Sequence, residues 1–153
     1  NISYKQHLIH KTNNKTLKVY DKMCEDVAII KVHPSLQKEH LNTFLSMPSL
    51  KGVVLETYGS GNAPTSDWFL DAIKKAIDKG IYVLNVTQCK AGSVVMGHYE
   101  ASTALLKMGV ISGGDITTEA ALAKMMFVLG NYTEDNSIKK MLNTNLRGEI
   151  STQ

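Results

Sequence analysis

A chain of 153 residues with a formal net charge of +3 suits one compact domain, large enough to bury roughly two-thirds of its unfolded surface. The lysines are scattered among acids, so the basic stripe of a nucleic-acid binder is missing; no apolar run approaches the ~18 residues of a membrane span, and no signal-peptide pattern opens the chain. Cys24 and Cys89, far apart and without C-x-x-C spacing, argue against a disulfide framework or a zinc site and point to a soluble protein of a reducing, cytoplasmic compartment.

The chain opens at Asn1 without an initiator Met, and its polar first twenty residues suggest a processed or excised piece; residues 1–23 read as an interdomain linker or N-terminal extension. Leu8-Ile9 and Leu17/Val19 flank Thr12-Asn13-Asn14, which allows a poor hairpin. Val27 to Val32 is a continuous, largely β-branched run of the kind buried on both faces of a parallel sheet. After Pro34, Ser35 is placed to cap a helix with Leu41, Phe44 and Leu45 on one face, ended by Pro48. Gly52 to Thr57 is the second strand.

The clearest helix follows Tyr58-Gly59-Ser60-Gly61-Asn62. Thr65 or Ser66 caps it, Phe69, Leu70, Ile73, Ala76 and Ile77 form its apolar face, and Gly80 closes it; Asp71 with Lys75 and Lys74 with Asp78 are spaced to pair outside. Ile81 to Val86 is the third strand, followed by a polar turn over Thr87 to Gly92, a helix near Tyr99 to Met108, and a short fourth strand at Val110 to Ser112. Two helices close the chain, one from Thr117 to Leu129 stopped by Gly130 and one from about Glu134 to Leu146 stopped near Gly148. Strands alternating with helices over short connections predict an α/β fold: a small parallel sheet of about four strands with helices on both faces.

Ligands of such sheets meet the carboxyl ends of the strands, which selects the loops Tyr58 to Thr65, Thr87 to Met96 and Ser112 to Thr118. Gly59-Ser60-Gly61 lacks the third glycine of a dinucleotide fingerprint, and Asn85 stands where its ribose-binding acid belongs. Positive φ at Gly59 and Gly61, with Asn62 as a turn residue, explains the loop locally. His7, His10, His33, His40 and His98 show no metal-ligand pairing, and Cys89 has no adjacent base, so these are structural or surface groups. Asp115 and Glu119 sit at a helix start, where acids favour the dipole and act as caps. Four Asn-x-Ser/Thr triplets, at Asn1, Asn14, Asn85 and Asn131, are expected by chance in a sequence rich in these residues, and Asn85 ends an apolar strand where a glycan is hard to place.

Taken together, Leu55 to Pro64, Asn85 to Cys89, Ser112 to Lys124 and Asn145 to Glu149 resemble the C-terminal domain of cytosolic-type L-asparaginases, in the right order over about Val27 to Glu149, with the domain itself at residues 24–150. The resemblance implies a two-domain amidohydrolase that converts asparagine and water to aspartate and ammonia through a threonine nucleophile, with neither metal nor organic cofactor. That threonine belongs to a Thr-Gly-Gly-Thr motif on an N-terminal domain, with a Thr-Asp pair and a lysine nearby. Here the one Gly-Gly step, Gly113-Gly114, follows Ser112, and no Thr-Asp step occurs, so no catalytic residue is expected in this chain.

What the resemblance does place here are Gly61 and Asn62, expected to complete the substrate site of a neighbouring subunit. Bacterial members commonly carry arginine where Glu56 stands, and hold an activating asparagine beside the Thr-x-Cys turn. A carboxylate cannot bind a carboxylate in that way. Glu56 is the animal-type residue, so Glu56, Tyr58, Thr87 and Cys89 are expected on the loop face as an altered allosteric region. The implied partners are the N-terminal catalytic domain, L-asparagine and further copies in a homodimer or tetramer, with no nucleic acid or membrane. The rival reading is a stand-alone, non-catalytic α/β binding or interaction module.

Overall fold

Four parallel strands in the order β1-β2-β3-β4 form the centre of the computed structural model, which describes Tyr4, Gln6, Ile9, residues 16–97 and residues 100–151. In sequence order the elements are β1 (Val27–Lys31), α1 (Lys38–Leu45), β2 (Gly52–Thr57), α2 (Asp67–Asp78), β3 (Tyr82–Thr87), α3 (Glu100–Met108), β4 (Ile111–Ser112), α4 (Thr118–Asn131) and α5 (Asp135–Asn143). The register runs Val27 to Gly52, Gly52 to Tyr82 and Leu84 to Ile111. The expected parallel sheet with helices on both faces is therefore present.

A strand order that steps the same way each time sends successive crossovers of one hand over one face. Accordingly Leu41 and Leu45 of α1, Phe69 and Ile73 of α2 and Leu105 of α3 share one core with Ile30, Val53, Leu55 and Val83. The opposite face would be bare without α4 and α5, which return over it and bury Val54, Leu84, Val86 and Ile111 against Ala121, Met125, Val128, Ile138 and Leu142. The side chains of β2 thus alternate between two cores, Val53 and Leu55 into one and Val54 into the other, which explains the unbroken apolar run.

Several local expectations are corrected. Ser35 does not cap α1: Leu36 N donates to His33 O across a Pro34-Ser35 turn, which delays the helix to Lys38, and Phe44 is exposed while Leu41 and Leu45 face the core. Ser66 does precede α2, but its hydroxyl makes no capping bond. On that helix Lys74 pairs with Asp78, whereas no ion pair joins Asp71 to Lys75 among the described residues. Gly130 does not stop α4. It lies inside the helix, and a Cβ there would meet Lys22 O at 2.8 Å and Cys24 N at 3.0 Å, so the glycine lets the incoming segment cross closely. Cys24 N donates to Met126 O and Asn131 Nδ2 to Lys22 O, which fasten that crossing.

The last helix ends at Asn143, well before Leu146, because Thr144 turns extended and the following residues wind into a separate turn. Residues 16–20 form no strand, and Leu17 and Val19 are exposed; the rest of the expected hairpin, with Leu8 and Thr12 to Asn14, falls outside the described residues, as does Tyr99. No helix among the described residues is long and apolar enough to cross a membrane.

Candidate functional site

The carboxyl ends of the strands are organised by a polar side chain inside an apolar strand. Asn85 of β3 is fully buried. Its Oδ1 accepts from Thr57 Oγ1 at 2.7 Å, its Nδ2 donates to Gly61 O at 3.3 Å, and its backbone carbonyl accepts from Gly113 N at 2.8 Å. One residue therefore holds β2, the Gly59–Asn62 loop and the 113–116 loop in a fixed relation. The close fit demands glycine at two positions: a Cβ on Gly61 would lie 2.7 Å from Val94 Cγ1, and one on Gly113 would lie 2.8 Å from Asn85 O. A glycan on Asn85 is excluded by this burial, and Asn131 has its amide engaged; Asn1 and Asn14 lie outside the described residues.

The Gly59–Asn62 loop folds as a tight turn in which Tyr58 and Asn62 exchange backbone hydrogen bonds of 2.8 Å. Gly59 and Gly61 have φ of 51° and 104°, as expected from sequence. Thr87 Oγ1 donates to Gly59 O, and Val95 N donates to Ser60 O at 3.0 Å, so the turn is pinned from two sides. Within this clamped turn the half-buried Asn62 side-chain amide has no hydrogen-bond partner among the described residues.

Beside this loop lies a cleft of about 380 Å³ lined by Glu56, Thr87, Gln88, Cys89, Lys90 and Thr118, among others. Glu56, Thr87 and Cys89 thus come together, while Tyr58 belongs to the neighbouring turn. The Glu56 carboxylate accepts from Thr118 Oγ1 and lies 3.8 Å from Lys31 Nζ. Gln88 Nε2 donates to Val32 O at 2.7 Å and to Glu56 O at 3.1 Å, closing the ends of β1 and β2. Cys89 is an exposed free thiol and Cys24 a buried one.

Asp115 is corrected: it does not cap α4. Thr117 does, accepting from Ala120 N at 3.3 Å, while Glu119 occupies the first turn. Asp115 instead accepts from the Ser151 backbone N–H at 2.8 Å and from the Ser151 hydroxyl, which together hold its carboxyl below the usual carboxylate range. Farther out, the Lys124 ammonium, on a side chain only 3% exposed, pairs with Glu149 Oε1 at 2.7 Å and donates to Thr144 O. Burial raises the Glu149 carboxyl, yet Lys124 and the backbone N–H groups of Leu146 and Arg147 outweigh it and hold its pKa at about 2.

Sequence reasoning missed Asn85 as an organiser and the Lys124–Glu149 pair. The available signals were a lone amide within Val83-Leu84-Asn85-Val86 and a lone cation within Ala121 to Val128. Among the described residues no group of histidine, cysteine and acidic side chains could hold a metal ion; His7, His10 and His98 lie outside them. His33 Nδ1 lies 3.0 Å from Ser35 Oγ, in an exposed turn.

A family model described as the glutaminase/asparaginase C-terminal domain matches residues 26–142. L-asparaginase 1 of Escherichia coli (strain K12) is 38% identical over 127 residues, covering 83% of this chain and 37% of that protein. The 60 kDa lysophospholipase of Homo sapiens is 39% identical over 152 residues, covering 98% of this chain and 26% of that protein. The crystal structure of L-asparaginase I from Vibrio cholerae superimposes with a TM-score of 0.85 at 35% identity, covering 93% of this chain and 42% of its counterpart. The chain therefore spans well under half the length of each of these three proteins.

Proposed function

The chain belongs to the glutaminase/asparaginase C-terminal domain family, and on that footing we propose that it is the C-terminal domain, residues 24–150, of a cytoplasmic, homo-oligomeric L-asparaginase. In this reading residues 1–23 are the linker to an amino-terminal domain that carries the threonine nucleophile. The reaction breaks the C–N bond of the asparagine carboxamide and adds water, giving aspartate and ammonia. Two unpaired cysteines, Cys24 and Cys89, fit the reducing compartment.

The observation that carries the site assignment is the Asn62 amide, which sits in a turn pinned by Thr87, Asn85 and Val95 yet lacks an internal hydrogen bond among the described residues. A side chain whose backbone is fixed and whose donor and acceptor are free is suited to bonding a ligand. Asn62, presented with Gly61, bonds the α-amino or carboxylate group of asparagine held by a neighbouring subunit. The cleft of Glu56, Thr87 and Cys89 is the altered effector region; with the Glu56 carboxylate on its wall it does not hold an amino-acid carboxylate as an arginine does.

The chain by itself is expected to release no ammonia from asparagine or glutamine, because no positioned nucleophile lowers the acyl-transfer barrier. Joined to an amino-terminal catalytic domain it should be active, and Asn62→Ala should then lower kcat/KM by about 1.5–3 kcal/mol, roughly tenfold to more than a hundredfold, with little change in melting temperature. Mixing Asn62→Ala subunits with subunits lacking the nucleophile should restore some activity, since one site then combines an intact nucleophile with an intact loop. Turnover by the 153-residue chain alone, or an Asn62→Ala variant that loses stability but not activity, overturns the assignment. A stand-alone interaction module would give no ammonia in either form.

A further inference from the structure

The turn that follows α5 is more elaborate than a helix terminus requires. The Glu149 carboxylate accepts from Leu146 N at 3.0 and 3.1 Å and from Arg147 N at 2.6 Å, and it meets the buried Lys124 ammonium; Gly148 N donates to Asn145 Oδ1 at 2.6 Å. Withdrawing a cation and a carboxylate from water is costly unless both are well bonded, and here each has several partners in the turn. Its end, Ser151, is thereby delivered to Asp115, and Ile150 packs where a Cβ on Gly114 would lie 3.4 Å from Ile150 Cγ2.

From Asp115 the connections continue inward. Gly114 O accepts from Val94 N at 2.8 Å, Ser112 Oγ donates to Val94 O at 3.2 Å, and Val95 N donates to Ser60 O at 3.0 Å. Gly61 packs so closely on Val94 that it can carry no Cβ. An unbroken series of short contacts thus links Lys124 and Glu149 to the residue next to Asn62, through three loops and without passing through either apolar core.

We propose that Lys124, Glu149 and Asp115 are positioning residues: the C-terminal turn is a latch whose closure on Asp115 fixes the 113–116 loop, the Val94-Val95 segment and, through them, the Ser60–Asn62 turn. The latch rests on the hydrogen bonds and close packing just described; that the turn it fixes presents Asn62 to substrate rests on the function proposed above.

Amide hydrogen exchange on the 153-residue chain separates the two, because it needs no substrate. In Asp115→Ala the latch loses its catch while the Lys124–Glu149 pair is untouched. The amides of residues 60–62 and 94–95 should exchange about tenfold faster or more, while those of Val53–Leu55 in β2 and of Leu146–Arg147 keep their rates. Asp115→Asn, which retains an acceptor for the Ser151 N–H, should fall between the two. Opening the latch at its other end, with the double variant Lys124→Met/Glu149→Ala, which removes both the ion pair and the acceptor of the Leu146 and Arg147 N–H groups, should speed exchange at 146–147 and at 60–62 together. Unchanged exchange at 60–62 and 94–95 in Asp115→Ala overturns the latch, as does an increase that β2 shares equally. If exchange responds as expected but Asn62→Ala leaves activity intact in the larger enzyme, the latch stands and the substrate role of Asn62 falls.

Discussion

At the carboxyl ends of the strands the buried polar atoms of Thr57, Asn85 and Thr87 all find partners within the chain, whereas along the outer side of α4 the side chains of Met23, Ala123 and Phe127 border an open, largely apolar groove of about 350 Å³. Among the described residues the strand ends of the first region are tied together by these bonds, and the Asn62 amide beside them is left without an internal partner. The second carries apolar surface on a helix whose inner residues, Ala121, Met125 and Val128, already fill a core. A helix apolar on nearly every side is normally covered on every side. Satisfied polarity thus marks where this domain is rigid, and unsatisfied apolarity marks where it is open to association with more polypeptide.

The sharpest way to break the contrast is at Lys124, which floors the apolar groove yet anchors the C-terminal turn. Lys124→Met alone leaves the partly buried Glu149 carboxylate with its backbone donors but without its cation and should cost about 1.5–3 kcal/mol in urea unfolding. Replacing both partners, Lys124→Met with Glu149→Gln, should recover much of that loss. On the loop face, Asn85→Ala strands the Gly61 carbonyl and leaves the Thr57 hydroxyl only its longer bond to Val86 O; it should cost about 1–3 kcal/mol, with faster hydrogen exchange across all three loops.

Acid probes the same pair. Because Glu149 is held at about 2 against an ordinary 4.5, its contribution is fully present above about 4.5 and is lost as the pH falls from there towards about 2. The melting temperature of the wild-type protein should decline over that window, and more shallowly in the Lys124→Met/Glu149→Gln variant. The smallest effect on stability is expected at the exposed Ala123: Ala123→Glu should change unfolding by less than about 0.5 kcal/mol. If the oligomer proposed above forms through this groove, Ala123→Glu should nevertheless abolish concentration-dependent association measured by light scattering. Association that persists in Ala123→Glu would move the contact surface away from the α4 groove.

How much of this was legible beforehand follows from the range of each interaction. The runs Gly52 to Thr57 and Tyr82 to Thr87, and the face Phe69, Ile73 and Ala76, were readable because burial on both sides of a sheet or on one side of a helix imposes a pattern within a few residues; Val27 to Lys31, expected to be buried on both faces, is instead an edge strand on which Ile29 and Lys31 are exposed. Gly59 and Gly61 were readable for the same local reason, a backbone conformation closed to other residues. The boundaries of α1, α4 and α5 were not, since Pro34-Ser35 makes its own turn and Gly130 serves a crossing segment that lies far earlier in the sequence.

By itself, then, the sequence determined the alternation of strands and helices, the glycine turns and the family pattern of the loops, all of which are written in neighbouring residues. The tertiary structure alone decided that Asn85 would tie β2 to two loops, that Lys124 would meet Glu149 across 25 positions, and that Asp115 would hold Ser151 instead of capping α4. These are hydrogen bonds between groups distant in sequence, and a donor or acceptor carries no periodic mark of its partner. Only when two hydrophobic cores have fixed the sheet and helices does geometry choose which polar groups meet.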